Sequence, residues 1–129
     1  MRHLKRIQKT VLRWYSRNQR DLPWRKTKNP YRILLSEIML QQTRVSRVLQ
    51  IYPAFLKKFP DFRSLAHART SNVIVAWRGM GYNNRAVRLQ QMAKEVLEKH
   101  SGRLPITVAE LDALPGIGRY TAHALACFA

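Results

Sequence analysis

The sequence predicts an all-α domain, and three observations carry that prediction. Apolar residues recur at three- and four-residue steps along most of the chain, six prolines and five glycines punctuate the runs, and no segment shows convincing strand alternation. With 129 residues of which 46% are hydrophobic, the chain can bury one full core but hardly two. Disorder is excluded on the same ground, since a chain held open by charge lacks apolar residues.

From about residue 4 to 18, Leu4, Ile7, Val11, Leu12 and Tyr15 alternate with Arg and Lys, which predicts an amphipathic helix. The segment Arg20 to Arg25 breaks the period, and Lys26 to Asn29 reads as loop. Asn29 followed by Pro30 is a helix start, an N-cap with proline at the first position. The helix it opens carries Ile33, Leu34, Leu35, Ile38, Met39 and Leu40, is apolar nearly all round, and belongs at the centre of the domain. Thr43 is positioned to cap the next helix, which carries Val45 to Leu56 with a kink expected at Pro53. Phe59-Pro60-Asp61 ends it and restarts a short helix over 62–68. A second short helix over 72–77 stops at Gly79-Met80-Gly81. A longer helix over 83–100 buries Ala86, Leu89, Ala93, Val96 and Leu97 and closes on Gly102. Thr107 and Glu110 form a Thr-x-x-Glu capping pair for a helix ending at Leu114. The tight turn Pro115-Gly116-Ile117-Gly118 leads into a last apolar helix from Arg119. Seven or eight helices are expected, with no internal repeat or linker.

Charge selects the partner. Lys and Arg number 24 against seven Asp and Glu, for a net charge of +17. The first 60 residues hold 15 of the bases and only two acids, Asp21 and Glu37, and 16 of the 24 bases are Arg, whose planar fork suits phosphate. Nucleic acid is favoured over an anionic membrane, because the bases are spread over several segments rather than gathered on one helix opposite a bare apolar face. No window is long and apolar enough for a membrane span, and the N-terminus has no signal-peptide core, so a cytoplasmic protein is expected. The lone Cys127 supports neither an internal disulfide nor a metal centre.

Two segments carry candidate chemistry. Leu114-Pro-Gly-Ile-Gly-Arg119, between two helices, looks like a helix-hairpin-helix element. Its two glycines let backbone N–H groups approach a phosphate at a helix start, where the dipole favours an anion, and Arg119 adds charge. An ordinary helix–helix turn is the plainer alternative. Such a hairpin holds phosphates and leaves the base to other residues. Ser36-Glu-Ile-Met-Leu-Gln-Gln-Thr43 is the second segment. Glu37 shares a helix flank with Ile33 and Leu34, where desolvation raises a carboxyl pKa and suits a general acid. The opposing possibility is pairing with one of its many Arg neighbours, which lowers the pKa. Gln41 and Gln42 end the helix beside Thr43, where flat amides can wedge between bases or serve as ordinary surface residues.

Arg20-Asp-Leu-Pro-Trp-Arg25, Pro30-Tyr31, Ser36 to Thr43, Gly79-Met-Gly-Tyr82 and Leu114-Pro-Gly-Ile-Gly-Arg-Tyr-Thr-Ala122, taken in order, resemble the adenine DNA glycosylases of the MutY type. These are helix-hairpin-helix base-excision glycosylases related to endonuclease III. The resemblance covers nearly the whole chain. It implies a six-helix barrel over about 21–129 with the hairpin at 114–118, and an additional N-terminal helix over about 1–20 that packs on an iron-sulfur domain beyond these residues. The implied activity is monofunctional base excision: adenine opposite oxidised guanine or guanine in double-stranded DNA is extruded and its N-glycosidic bond hydrolysed, by a monomer with no membrane partner, associated with the nucleoid.

Carried over by position, Glu37 protonates the leaving base, and Trp24, Arg25 and Leu40 line the base pocket with Arg20 close by. Gln41, Gln42, Thr43 and Tyr82 intercalate and contact the opposite base, and Gly116, Ile117, Gly118 and Arg119 hold backbone phosphate. Tyr120 occupies the position where lyase members carry a Schiff-base lysine, so strand cleavage by that route is not expected. Asn83-Asn84 departs from the adenine branch and leaves thymine-mismatch excision as an alternative. The family's sugar-stabilising aspartate and four cluster cysteines lie beyond Ala129, so no cofactor is expected within these residues. The chain is accordingly read as the C-terminally truncated, N-terminal part of a glycosylase, with a non-catalytic DNA-binding module as the other reading.

Overall fold

A computed structural model describes residues 2–18, 21–41, 43–81, 83–105, 107–114 and 116–128. Among them run eight α-helices and one 3-10 turn, with no strand: α1 (Arg2–Asn18), the 3-10 turn (Pro23–Arg25), α2 (Pro30–Leu40), α3 (Val45–Lys58), α4 (Phe62–His67), α5 (Thr70–Ala76), α6 (Asn84–His100), α7 (Val108–Asp112) and α8 (Arg119–Phe128). No described helix is long and apolar enough to cross a membrane.

The expected centre is the observed one. Asn29 Oδ1 accepts from the Tyr31 and Arg32 N–H groups at 3.0 and 3.3 Å, satisfying two of the orphan donors of α2. The helix then buries Ile33, Leu34, Leu35, Ile38 and Met39 against α3, α6 and α8. Trp24 meets Tyr52 edge-on, with ring centroids 5.4 Å apart, which fixes the 3-10 turn against α3. Phe55 packs on Trp77 in the same manner at 5.8 Å. One continuous core results.

Two local expectations, the Thr43 cap and the end of the helix after Thr107, are corrected, and the other junctions gain detail. Thr43 does not cap α3: Arg44 holds the cap position without a side-chain bond, and the Thr43 hydroxyl instead accepts from Arg85 Nη2 at 2.9 Å. α3 runs through Pro53 as one helix. Asp61 and Ser64 form a reciprocal capping box at α4, and the two Ser64 bonds hold the Asp61 carboxyl below its ordinary pKa. The exit from α6 uses two left-handed residues, Ser101 at φ 54° ahead of Gly102 at φ 82°. The Thr107 cap forms, its hydroxyl accepting from the Glu110 N–H at 3.3 Å, but α7 closes at Asp112, before Leu114.

The N-terminal helix forms where expected, yet its apolar residues stay largely exposed. Leu4, Ile7, Val11, Leu12, Trp14 and Tyr15 are all exposed. Amphipathic spacing is sufficient to specify the helix, and a partner surface is a separate requirement.

Candidate active site and hairpin

A cavity of about 420 Å³ opens between the 3-10 turn and the flank of α2. Glu37, Ser36 and Ile33 line it from α2, Trp24 and Arg25 from the turn, Lys26, Thr27 and Lys28 from the loop that follows, and Tyr15 from α1. Three residues proposed from sequence, Glu37, Trp24 and Arg25, are therefore brought together. Leu40 is not among the lining residues and packs half-buried against the core. Arg20 lies outside the described residues, as do Gln42 and Tyr82.

The electrostatics of Glu37 decide between the two sequence readings. Burial raises its pKa above the ordinary carboxylate value, and the nearby Arg25 guanidinium opposes that rise with the smaller effect. Desolvation wins because the carboxyl shares its flank with apolar core. Trp24 is 4% exposed, and its indole N–H is buried without a hydrogen-bond partner. A buried donor without a partner carries a desolvation cost. Ser36 is occupied elsewhere, its hydroxyl donating to Ile33 O at 2.7 Å. At the rim, Lys26 and Asp21 form an exposed ion pair at 2.6 Å. Asp21, Ser36 and Tyr15 were not singled out from sequence. Ser36 had a signal, a polar residue inside an apolar helix. Tyr15 had none, because its presence depends on how α1 meets the 3-10 turn.

The hairpin joins α7 to α8. Its two glycines answer different demands. Gly116 has φ 82°, and a Cβ there would stand 3.3 Å from Arg88 Cβ, so both conformation and packing on α6 call for glycine. At Gly118 a Cβ would meet nothing within 4 Å among the described residues. That position leaves the exposed N-terminal edge of α8 open to close approach from outside. Ile117 is buried and anchors the turn. Arg119 opens α8, with its side chain outside the described residues. Tyr120 is 80% exposed and does not line the Glu37 cavity. Gln41 Nε2 donates to Thr121 Oγ1 at 3.1 Å, tying the end of α2 to α8.

A larger groove of about 1230 Å³ lies between α4 and the end of α6, lined by Asp61, Arg63, His67, Lys94 and Arg103 among others. None of the site residues proposed from sequence borders it. The described residues contain no group of three or more His, Cys, Asp or Glu that could hold a metal ion, and Cys127 is exposed on α8. Four thiolates for an iron-sulfur cluster are not available in this sequence, which has one cysteine.

An all-helical domain with a glycine hairpin on one helix pair and a desolvated carboxyl in a cavity defines a helix-hairpin-helix protein of the DNA-repair class. The chain belongs to the HhH-GPD superfamily of base excision DNA repair proteins, whose family pattern matches residues 35–125. Similar curated proteins include the adenine DNA glycosylases of Mycobacterium tuberculosis, 45% identical over 92% of this chain, and of Homo sapiens, 40% identical over 93%. The chain spans 40% and 24% of those two proteins. A solved thermostable thymine-DNA glycosylase superimposes with a TM-score of 0.89 and 34% identity, over 97% of this chain and 58% of that one. An endonuclease III trapped as a covalent DNA intermediate shares the fold, with a TM-score of 0.79 and 21% identity over 97% of this chain and 59% of its own.

Proposed function

We propose that these residues are the acid-bearing part of a monofunctional adenine DNA glycosylase that excises adenine opposite oxidised guanine or guanine. The observation that carries the reading is Glu37, whose carboxyl pKa is raised by burial in a cavity it shares with Trp24 and Arg25. An extruded base entering that cavity receives the Glu37 proton on a ring nitrogen, and the C1′–N bond then breaks with its electron pair leaving on the base. Trp24 and Arg25 line the pocket that receives the base. Water captures the cationic sugar. The carboxylate that normally stabilises that sugar, and the four-iron four-sulfur cluster, are assigned to chain beyond Ala129.

The remaining positions follow from the same reading. Gly116, Ile117, Gly118 and Arg119 hold phosphate, while Gln41, Gln42, Thr43 and Tyr82 enter the stack beside the opposite base. Tyr120 has no amine for Schiff-base chemistry, so the strand is left uncut. Residues 21–129 form the barrel, and the bare apolar face of α1 packs on further chain of the whole protein. Support for this comes from the exposure of that face and from relatives more than twice as long. The protein acts as a monomer on the nucleoid in the cytoplasm.

Excision of mispaired thymine is the second reading, favoured by the 34% identical thymine-DNA glycosylase. Adenine stands first because the named adenine glycosylases match at 40–45% identity. Single-turnover base release from duplexes carrying adenine opposite oxidised guanine, or thymine opposite guanine, separates the two. The adenine duplex is expected to react, and Glu37→Gln to abolish release while binding persists. Undiminished release by that variant sinks the assignment of Glu37, and release of thymine alone selects the second reading.

A further inference from the structure

Arg85 stands in the first turn of α6, where the helix dipole disfavours a cation. Its two terminal guanidinium nitrogens donate elsewhere. Nη1 donates to Ile38 O at 2.9 Å and to Met39 O at 3.3 Å, both in the last turn of α2, and also to Gln41 O. Nη2 donates to Thr43 Oγ1 at 2.9 Å and to Met80 O at 3.2 Å. The group lies 5.5 Å from the Trp77 ring centroid. Orphan carbonyls at the end of α2 carry the negative end of that helix dipole and offset part of the charge.

These acceptors belong to two separate segments, 38–43 at the end of α2 and the turn at Met80. We propose that Arg85 is a positioning residue that locks the two segments into one rigid wedge for the duplex. The inference rests on the DNA-reading function proposed above, which places Gln42 within the first segment and Tyr82 just after the second. A planar fork is needed because the acceptors lie on two sides of the group. Lysine concentrates its three donors at one point and cannot span them. The Gln41 bond to Thr121 extends the same unit to α8, so the wedge and the hairpin keep a fixed separation.

The test compares Arg85→Met, Arg85→Lys and the milder Thr43→Val by amide hydrogen exchange and by binding to two duplexes. One duplex carries adenine opposite oxidised guanine with a neighbouring 2-aminopurine, and the other is fully matched. In folded Arg85→Met, exchange is expected to accelerate together in 38–44 and 78–83 while 48–55 is unchanged. Preference for the mispair falls by about tenfold or more, with loss of the 2-aminopurine signal. Arg85→Lys restores only part of that preference, and Thr43→Val loses less than Arg85→Met. Unchanged preference in a folded variant overturns the proposal, as does acceleration in one segment alone or full rescue by lysine. If Arg85→Met does not fold, Arg85→Lys and Thr43→Val decide by the same readouts. If the unaltered protein shows no mispair preference, the functional reading fails, and the exchange data still decide whether Arg85 couples the segments.

Discussion

The Glu37 cavity is built from side chains, whereas the hairpin before α8 is built from backbone. In the first, a carboxyl acquires its useful property from what surrounds it: apolar core on the α2 flank and a guanidinium that only partly offsets burial. In the second, the useful property is room, secured by Gly116 turning left-handed against α6 and Gly118 leaving its outer side open. Chemistry on a base needs a proton held in a specified place, and holding a phosphate needs only unobstructed N–H groups. The two regions should therefore respond to different substitutions in different measurements.

The sharpest separation, and the largest effect, comes from pairing Glu37→Gln with Gly118→Ala. The first is expected to lower saturated base release by about 10²- to 10⁴-fold with little change in duplex affinity. The second is expected to lower affinity more than the saturated rate, because a methyl group obstructs phosphate approach without touching the cavity. Equal losses of rate and affinity in both variants, measured by single-turnover kinetics and equilibrium binding, erase the distinction.

Within the hairpin, the two glycines should differ in stability. Gly116→Ala forces a left-handed alanine against Arg88 and is expected to cost about 1–3 kcal/mol in thermal or denaturant unfolding. Gly118→Ala should unfold at nearly the unaltered midpoint. If the losses match, the openness at Gly118 is not the reason for its glycine.

A smaller effect tests the cavity through pH. The folded pKa of Glu37 is raised above the ordinary 4.5, so the folded state binds the proton more tightly than the unfolded chain. Stability is then highest when the group is protonated and falls as pH rises from the unfolded value through the folded one. Glu37→Gln removes this penalty. Its melting temperature should exceed that of the parent above the window, with the gain fading as pH drops below about 4.5. A gain independent of pH would remove desolvation as its cause.

The least perturbing change serves as a control outside both regions. Ser64→Ala breaks the box with Asp61 and should cost about 1 kcal/mol, leaving base release and duplex affinity alone. The carboxyl of Asp61 has a lowered pKa. Its contribution is accordingly present above the unfolded value of 3.8 and disappears as pH falls through the folded one. Unfolding curves between pH 2 and 6 check this.

Much of this was legible in the residues. Asn29-Pro30 announced α2, its all-round apolar character announced burial, and Pro-Gly-Ile-Gly announced the hairpin. Glu37 was legible as an acid out of place on an apolar flank. Thr43 shows where local reasoning fails: its spacing suits a cap, yet its hydroxyl is taken by Arg85, 42 residues away. Arg85 itself, one of 16 arginines, had no distinguishing mark.

The sequence by itself determined the helices, most of their starts and the glycine hairpin before α8, because periodicity, capping and glycine conformations act within a few residues. Tertiary structure decided which charges matter. A guanidinium becomes a clamp only when carbonyls up to 47 residues distant converge on it. A carboxyl becomes an acid only when packing removes water from one side of it while leaving the other open.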